Sequence, residues 1–204
     1  MKGEKEGFEK IHLKSLRIQR RLFAEKKKEL TRAEYERLVK AARGKEDERL
    51  ALILETICST GIRVSEIKYI TFEAALSGRA DISLKGKIRT ILIPKKLCRR
   101  LIRYAKGKNI RSGQIFLTRS GKPLSRKQIW ADMKAVCEAA HVDKEKVFPH
   151  NLRHLFARAF YTATKDIAKL ADVLGHSSIQ TTRIYLISTE EEHRSAIERL
   201  KLVC

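Results

Sequence analysis

The sequence predicts an α+β fold that is mainly helical and contains a small three-stranded antiparallel sheet. Two observations support this fold class. Apolar residues recur at helical spacing on both sides of the middle of the chain, and residues 80–93 switch to the shorter period of strands. The 204 residues are enough for one domain with a hydrophobic core and a short additional arm. We therefore expect one globular domain over most of the chain.

Local signals place the first helices. Thr31 and Glu34 form a capping-box pattern that opens a helix, and Gly44 ends it. A longer apolar helix follows and closes near Gly61. Residues 64–70 are expected to form another short helix.

The middle of the chain predicts the sheet. Residues 80–84 and 88–93 are expected to be two short strands around the tight turn Lys85-Gly86-Lys87. Residues 114–118 are expected to be the third strand, followed by a turn at Ser120-Gly121.

Helices then return. Residues 94–104 form an amphipathic basic helix, and Ser125 is expected to cap the next one. Pro149 lies at a helix start, where its missing N–H costs nothing, and this helix runs to about residue 162. A short helix over residues 166–174 ends at Gly175, a typical C-terminal cap.

The charge of the chain restricts its partners. There are 45 Lys and Arg residues against 24 Asp and Glu residues, so the formal net charge is +21. Such a surplus favours binding to a polyanion. A ribosome-type RNA-binding protein, or a protein that binds an anionic membrane surface, would have a similar charge. No stretch approaches the roughly 20 apolar residues of a membrane span, and no signal peptide is recognisable. We expect a soluble, cytoplasmic protein directed at nucleic acid.

The four cysteines predict neither a metal site nor a disulfide framework. They are far apart and include no CxxC pair. Buried or incidental thiols in a reducing compartment are the expected state of Cys58, Cys98, Cys137 and Cys204.

Five residues are candidates for chemistry on a phosphate. Arg63 follows a Gly at a predicted helix end, and its guanidinium group is a planar fork suited to two phosphate oxygens. His150 and Arg153, three residues apart, share one face near a helix N terminus, which itself favours anions. His176 follows a helix-ending Gly, and the hydroxyl of Tyr185 is a potential nucleophile.

Each candidate has an ordinary structural interpretation as well. Arg63 could be a surface arginine, and Tyr185 beside Ile184 and Leu186 would usually be a core residue. His154 is expected to face away from its neighbours and to be structural or a DNA contact.

The combination of motifs is more specific than its parts. It comprises Thr60-Gly61-Ile62-Arg63-Val64-Ser65-Glu66-Ile67, His150-x-x-Arg153, Leu174-Gly175-His176-Ser177-Ser178 and Tyr185. In wording and spacing these segments resemble the tyrosine recombinases, the phage-integrase family, from about Leu30 to Leu200. Within that family the chain is most similar to integrases of phages and conjugative mobile elements.

The resemblance implies a role for each residue. Tyr185 would attack the scissile phosphate of double-stranded DNA, release a 5′-hydroxyl and form a 3′-phosphotyrosyl link. Arg63 and Arg153 would bind the non-bridging oxygens and stabilise the transition state. His150 and His176 would add hydrogen bonds or proton transfer.

A hairpin lysine acts as general acid in this family. Lys85 and Lys87 both occupy the predicted turn. Lys85, which precedes the Gly, is the preferred candidate, and Lys87 remains an alternative. The resemblance also implies that no cofactor is needed, neither metal nor ATP. It further implies a nucleoid-associated protein that acts as a homo-oligomer on DNA, with a tetrameric synapse expected.

The resemblance divides the chain into three parts. Residues 1–30 would be a basic arm or interdomain linker, and residues 31–187 the catalytic domain. Residues 188–204 would form a C-terminal helix that either closes this domain's own core or docks in trans onto a neighbouring protomer. Family members normally carry a separate N-terminal core-binding domain. We therefore expect a catalytic-domain fragment or a naturally minimal member.

The expected function is that of a site-specific DNA recombinase or integrase that cleaves and rejoins strands. Two alternatives remain. A non-catalytic DNA- or RNA-binding module would need only the charge, and a type IB topoisomerase shares the phosphotyrosine chemistry.

Overall fold

The computed structural model describes residues 29–44, 48–84, 87–176, 179–183 and 197–199. The predictions for residues 1–28, for Lys85, for Tyr185 and for most of the C-terminal helix lie outside these residues.

The first two helices are α1 (Arg32–Gly44) and α2 (Glu48–Thr60). The predicted capping box opens α1: the Thr31 backbone N–H donates to Glu34 Oε2 over 2.8 Å, and the Glu34 N–H donates to Thr31 Oγ1 over 3.2 Å. Most of α2 is buried, and it contacts α1. This apolar helix is therefore the centre of the core.

The chain turns sharply after α2. Gly61 adopts a left-handed conformation with φ of +63°, which ends the helix as predicted. The predicted short helix is a 3₁₀ helix, Val64–Tyr69. Helix α3 (Phe72–Ser77) follows, capped by the Thr71 hydroxyl, and was not predicted.

The sheet is an antiparallel hairpin of β1 (Arg79–Leu84) and β2 (Lys87–Leu92). Leu84 pairs with Lys87, so two residues connect the strands. The predicted turn had three residues, and the structure assigns the third of them, Lys87, to β2. Ile82 and Arg89 are also register partners. The hairpin therefore confirms the two predicted strands.

The prediction of a third strand is wrong: among the described residues the sheet has two strands. The backbone of residues 114–118 forms isolated bridges instead, Thr71 with Gln114 and Leu117 with Pro123. In this segment the Ile115 N–H donates to Ile70 O over 3.2 Å, and the Thr118 N–H donates to Lys122 O over 2.8 Å. These hydrogen bonds are made outside the β1–β2 hairpin, so the segment does not extend the sheet.

After the hairpin the described residues form five α-helices and a 3₁₀ helix, Lys144–Lys146, and residues 197–199 are also helical. The five α-helices are α4 (Lys95–Gly107), α5 (Arg126–Ala135), α6 (Pro149–Thr164), α7 (Ile167–Leu174) and α8 (Ile179–Arg183). Helices α4 and α6 both contact α2, and α7 contacts α6 and α8. The C-terminal ends of α2 and α7 come close to each other around Gly61 and Leu174.

The predicted helix limits are confirmed at three caps. Ser125 Oγ accepts a hydrogen bond from the Gln128 N–H over 3.1 Å, and Pro149 occupies the first turn of α6. Gly175 ends α7 in a left-handed conformation with φ of +63°. Across the described ranges, no helix is long and apolar enough to cross a membrane.

Candidate active site

The structure brings three of the predicted site residues together. Arg63 lies just beyond α2, Arg153 is in the second turn of α6, and His176 follows the end of α7. Their side chains meet around the C-terminal ends of α2 and α7. Lys85 and Tyr185 are outside the described residues, and of Lys87 only the backbone position in β2 is described.

Arg153 connects these segments from the inside. Only 3% of the residue is exposed. Its Nη1 donates to the carbonyl oxygen of Gly61, and its Nη2 lies 2.8 Å from Leu174 O and 3.0 Å from His176 Nε2. The guanidinium group thus satisfies carbonyls that two helices leave unpaired at their C termini.

Arg63 is the more accessible arginine, with 41% of its side chain exposed. Its Nη2 donates to Gly175 O over 3.4 Å, and its Nη1 lies 3.0 Å from Glu66 Oε1. The Arg63 backbone N–H also donates to Glu66 Oε2, over 2.9 Å. Glu66 is buried, so it holds the arginine in one orientation while leaving part of the guanidinium open to an anion.

Arg89 is a third arginine at this site and was missed in the sequence. It projects from β2, donates from Nη1 to Leu174 O over 2.7 Å, and places Nη2 3.4 Å from Glu66 Oε2. Burial lowers the pKa of Arg89 to about 10, with Glu66 opposing that shift. One feature of the sequence could have indicated Arg89. It is a charged residue in a predicted strand, at the register position opposite the buried Ile82.

His176 is held on both ring nitrogens. Nε2 faces Arg153 Nη2, and Nδ1 lies 2.9 Å from Thr182 Oγ1 of α8. Burial, followed by the charges of Arg153, Arg63 and Arg89, lowers the pKa of His176 to about 4. The imidazole is therefore uncharged at neutral pH.

His150 and His154 form a ring pair on α6. Their ring centroids are 4.5 Å apart, with the planes nearly perpendicular. The expectation that His154 faces elsewhere is wrong, because residues four apart on a helix are neighbours. Burial and then His150 lower the pKa of His154 to about 3, and burial with the nearby Arg153 lowers that of His150.

The arrangement is suited to a phosphodiester. Three arginines surround two helix ends, and the one carboxylate that pairs with them among the described residues is the buried Glu66. Neutral His176 and His150 lie within electrostatic range of Arg153. Such fixed donors stabilise the negative charge that develops on a phosphate during transesterification.

Comparison with known proteins identifies a family and several relatives. Residues 28–192 match the model of the phage integrase family. The chain is 31% identical over 183 residues to the tyrosine recombinase XerA of Pyrococcus furiosus, covering 86% of this chain and 63% of that protein. It therefore spans less than two thirds of that relative's length.

Two solved structures share the fold. The crystal structure of XerA recombinase aligns with a TM-score of 0.71 and 23% identity, over 86% of this chain and 64% of that one. XerH site-specific recombinase, bound to its difH substrate in a pre-cleavage complex, aligns with a TM-score of 0.66 and 23% identity, over 83% of this chain and 52% of that one. From the family match over most of its length, the chain belongs to the phage integrase family.

Proposed function

We propose that this chain is the catalytic part of a site-specific DNA recombinase or integrase. It cleaves and rejoins double-stranded DNA through a 3′-phosphotyrosyl intermediate, with neither metal nor ATP. One observation carries the proposal: Arg63, Arg153 and His176 come from three distant segments and converge on the same two helix ends. A binding surface alone would not require a cation such as Arg153 to be buried and fixed in this way.

The reaction is an in-line exchange at phosphorus. The Tyr185 hydroxyl gives its proton to an uncharged histidine, His150 or His176, as its oxygen attacks the scissile phosphate. The P–O(Tyr) bond forms, and the bond from phosphorus to the 5′-oxygen breaks. Arg63 and Arg153 bind the non-bridging oxygens, and His150 and His176 contribute hydrogen bonds or proton transfer. The phosphotyrosyl bond conserves the energy of the phosphodiester, so the 5′-hydroxyl can reverse the step and rejoin the strand.

The leaving 5′-oxygen needs a proton, and we assign Lys85 as its donor, with Lys87 as the alternative. Lys85 is one of the two residues between β1 and β2, and Lys87 is the first residue of β2, the strand whose Arg89 reaches the site. Lys85→Ala and Lys87→Ala can be compared on a substrate whose leaving 5′-oxygen is replaced by sulfur. A thiolate needs no proton, so this substrate is expected to restore cleavage in the Lys85 variant alone.

We further propose that residues 31–187 form the catalytic domain, that residues 1–30 form a linker, and that residues 188–204 form a helix that docks on a second copy. Ile197 is 67% exposed within a short helical stretch, which fits a side chain that a neighbour covers. The protomers would assemble as a tetramer on nucleoid DNA. Removal of residues 188–204 is expected to abolish this assembly, as measured by the mass of protein–DNA complexes.

Covalent trapping tests the proposed function. A library of nicked duplexes with randomised sequence allows the cleaved strand to dissociate, so the tyrosyl–DNA adduct accumulates and is visible on a denaturing gel. The unmodified chain is expected to form the adduct, and Tyr185→Phe to bind DNA without forming it. Tyr69→Phe is the matched control, because it removes the same hydroxyl from a tyrosine that packs against the core, and it should retain the adduct.

Other outcomes would favour the alternatives. Binding without any adduct from the unmodified chain would indicate a non-catalytic DNA-binding module. Relaxation of supercoiled plasmid at sites without sequence preference would indicate a type IB topoisomerase activity.

A further inference from the structure

Arg89 links the hairpin to the turn that carries His176. Its Nη1 donates to Leu174 O over 2.7 Å, and the same oxygen accepts from Arg153 Nη2 over 2.8 Å. Both acceptor positions of one carbonyl are therefore occupied by guanidinium groups. The C-terminal end of α7 is held between β2 on one side and α6 on the other.

The side chain of Arg89 also packs directly against Gly175. A Cβ atom at Gly175 would lie 2.2 Å from Arg89 Cδ and 2.9 Å from its Nη1. Only glycine leaves this space, and its φ of +63° is a conformation that other residues rarely adopt. The carbonyl of Gly175 is in turn the acceptor for Arg63. Arg89 thus contacts Gly175, the residue whose carbonyl oxygen accepts the hydrogen bond from Arg63.

The surroundings of Arg89 indicate that it acts through other residues. Its side chain is 13% exposed, compared with 41% for Arg63. The Nε and Nη2 atoms are buried and form no hydrogen bond with the described residues, while Nη2 lies 3.4 Å from the buried Glu66 carboxylate. Its contacts with Leu174 O, Gly175 and Glu66 let Arg89 support the neighbouring side chains without a contact of its own to a phosphate.

We propose that Arg89 is a positioning residue that fixes the Leu174–His176 turn and thereby sets Arg63, Arg153 and His176 in their working arrangement. This role deepens the proposed function and rests on it, because the residues it positions are those assigned to the scissile phosphate. It differs from their role in requiring no contact between Arg89 and DNA.

The first test uses the free protein and is independent of any reaction. In Arg89→Met the amides of Gly175 and His176, which donate to Asp172 O and Ala171 O over 3.0 Å, are expected to exchange hydrogen roughly tenfold faster. Arg89→Lys should give an intermediate rate, because one ammonium cannot reach both Leu174 O and Glu66. Arg79→Met is the matched control: it removes an exposed arginine from the same hairpin and should leave the exchange unchanged.

The second test separates binding from chemistry on nicked duplexes. At saturating DNA, Arg89→Met is expected to form the tyrosyl–DNA adduct about 10- to 100-fold more slowly, while the dissociation constant for DNA changes by less than about threefold. Arg89→Lys should recover part of the rate. A general loss of folding would weaken binding as well, and its thermal unfolding curve would reveal it.

Two results would overturn the positioning role: exchange at Gly175 and His176 equal to that of Arg79→Met, or adduct formation by Arg89→Met at the unmodified rate. Absence of any adduct from the unmodified chain is a different failure. It would reject the proposed function, and the exchange experiment would still decide whether Arg89 fixes the turn.

Discussion

Arg153 Nη2 and His176 Nε2 lie 3.0 Å apart, and this contact fixes the chemical state of the histidine. A guanidinium group can only donate, so Nε2 must be the acceptor and carries no proton. The proton of the neutral ring is then on Nδ1, which donates to Thr182 Oγ1 over 2.9 Å. In the DNA-free protein, Nε2 is thus occupied by Arg153. For His176 to donate from Nε2 to a phosphate, the ring must gain a proton or change tautomer.

We therefore expect His176 to be neutral at pH 7 with its proton on Nδ1. Nuclear magnetic resonance of protein labelled with ¹⁵N in histidine distinguishes the two tautomers by the shifts of the ring nitrogens. His176→Gln identifies the signal by removing it. A proton on Nε2, or a charged ring at this pH, would contradict the assignment.

The histidines also make stability depend on pH. The pKa of His176 is lowered from 6.5 to about 4, and that of His154 from 6.5 to about 3. Below pH 6.5 these two histidines bind protons in the unfolded chain but remain neutral in the folded chain. Unfolding is therefore favoured increasingly as the pH falls. Above pH 6.5 both states are neutral at these positions, and the effect is absent.

The expected result is a urea midpoint that falls as the pH decreases from about 7 to about 5, before carboxylates titrate. His154→Gln should make this slope shallower, because glutamine takes up no proton in either state. His141→Gln, at an exposed histidine of the same chain, is the control and should retain the slope. Equal slopes for the unmodified chain and His154→Gln would contradict the lowered pKa of His154.

Much of the fold was predictable because its signals are local. The capping box at Thr31 and the caps at Ser125 and Gly175 each depend on residues within one helical turn, and all three are confirmed. The wrong prediction of a third strand shows where local signals are not sufficient. Gln114 bridges to Thr71, far away in the sequence, and nothing in residues 114–118 indicates that partner.

The sequence predicted the motif residues of the candidate site but not the arginine that contacts the backbone beside them. Motif spacing predicts that Arg63, Arg153 and His176 share a site, and the structure places them together. Arg89, by contrast, contacts a carbonyl 85 positions away. That contact exists only once the hairpin packs against α7. Glu66 offered a local signal, since a carboxylate three residues after Arg63 is placed to pair with it.

Glu66 is expected to matter for stability as well as for orientation. Glu66→Gln keeps the shape but leaves Arg63 and Arg89 without their shared buried counter-ion. Removing one partner of a buried charge pair typically costs about 3 kcal/mol in the free energy of unfolding. Urea denaturation measures this loss.

Asp81→Asn is the matched control for Glu66→Gln. It makes the same chemical change in an ion pair with Arg79 on the exposed face of the hairpin, and should shift the urea midpoint little. Equal shifts for the two variants would show that Glu66 is not the counter-ion on which Arg63 and Arg89 depend.

The close approach of Arg89 to Gly175 can be separated from the backbone preference of glycine. Gly175 and Gly121 have similar φ values, +63° and +76°, but a Cβ at Gly121 would meet no atom within 4 Å. Alanine at either position carries the strain of a left-handed conformation, about 1 kcal/mol. Gly175→Ala must in addition displace Arg89, at a further cost of about 1–3 kcal/mol. We expect it to be the less stable variant in urea and the slower one in adduct formation. Equal losses of stability and of adduct-formation rate in the two alanine variants would show that the contact with Arg89 contributes to neither.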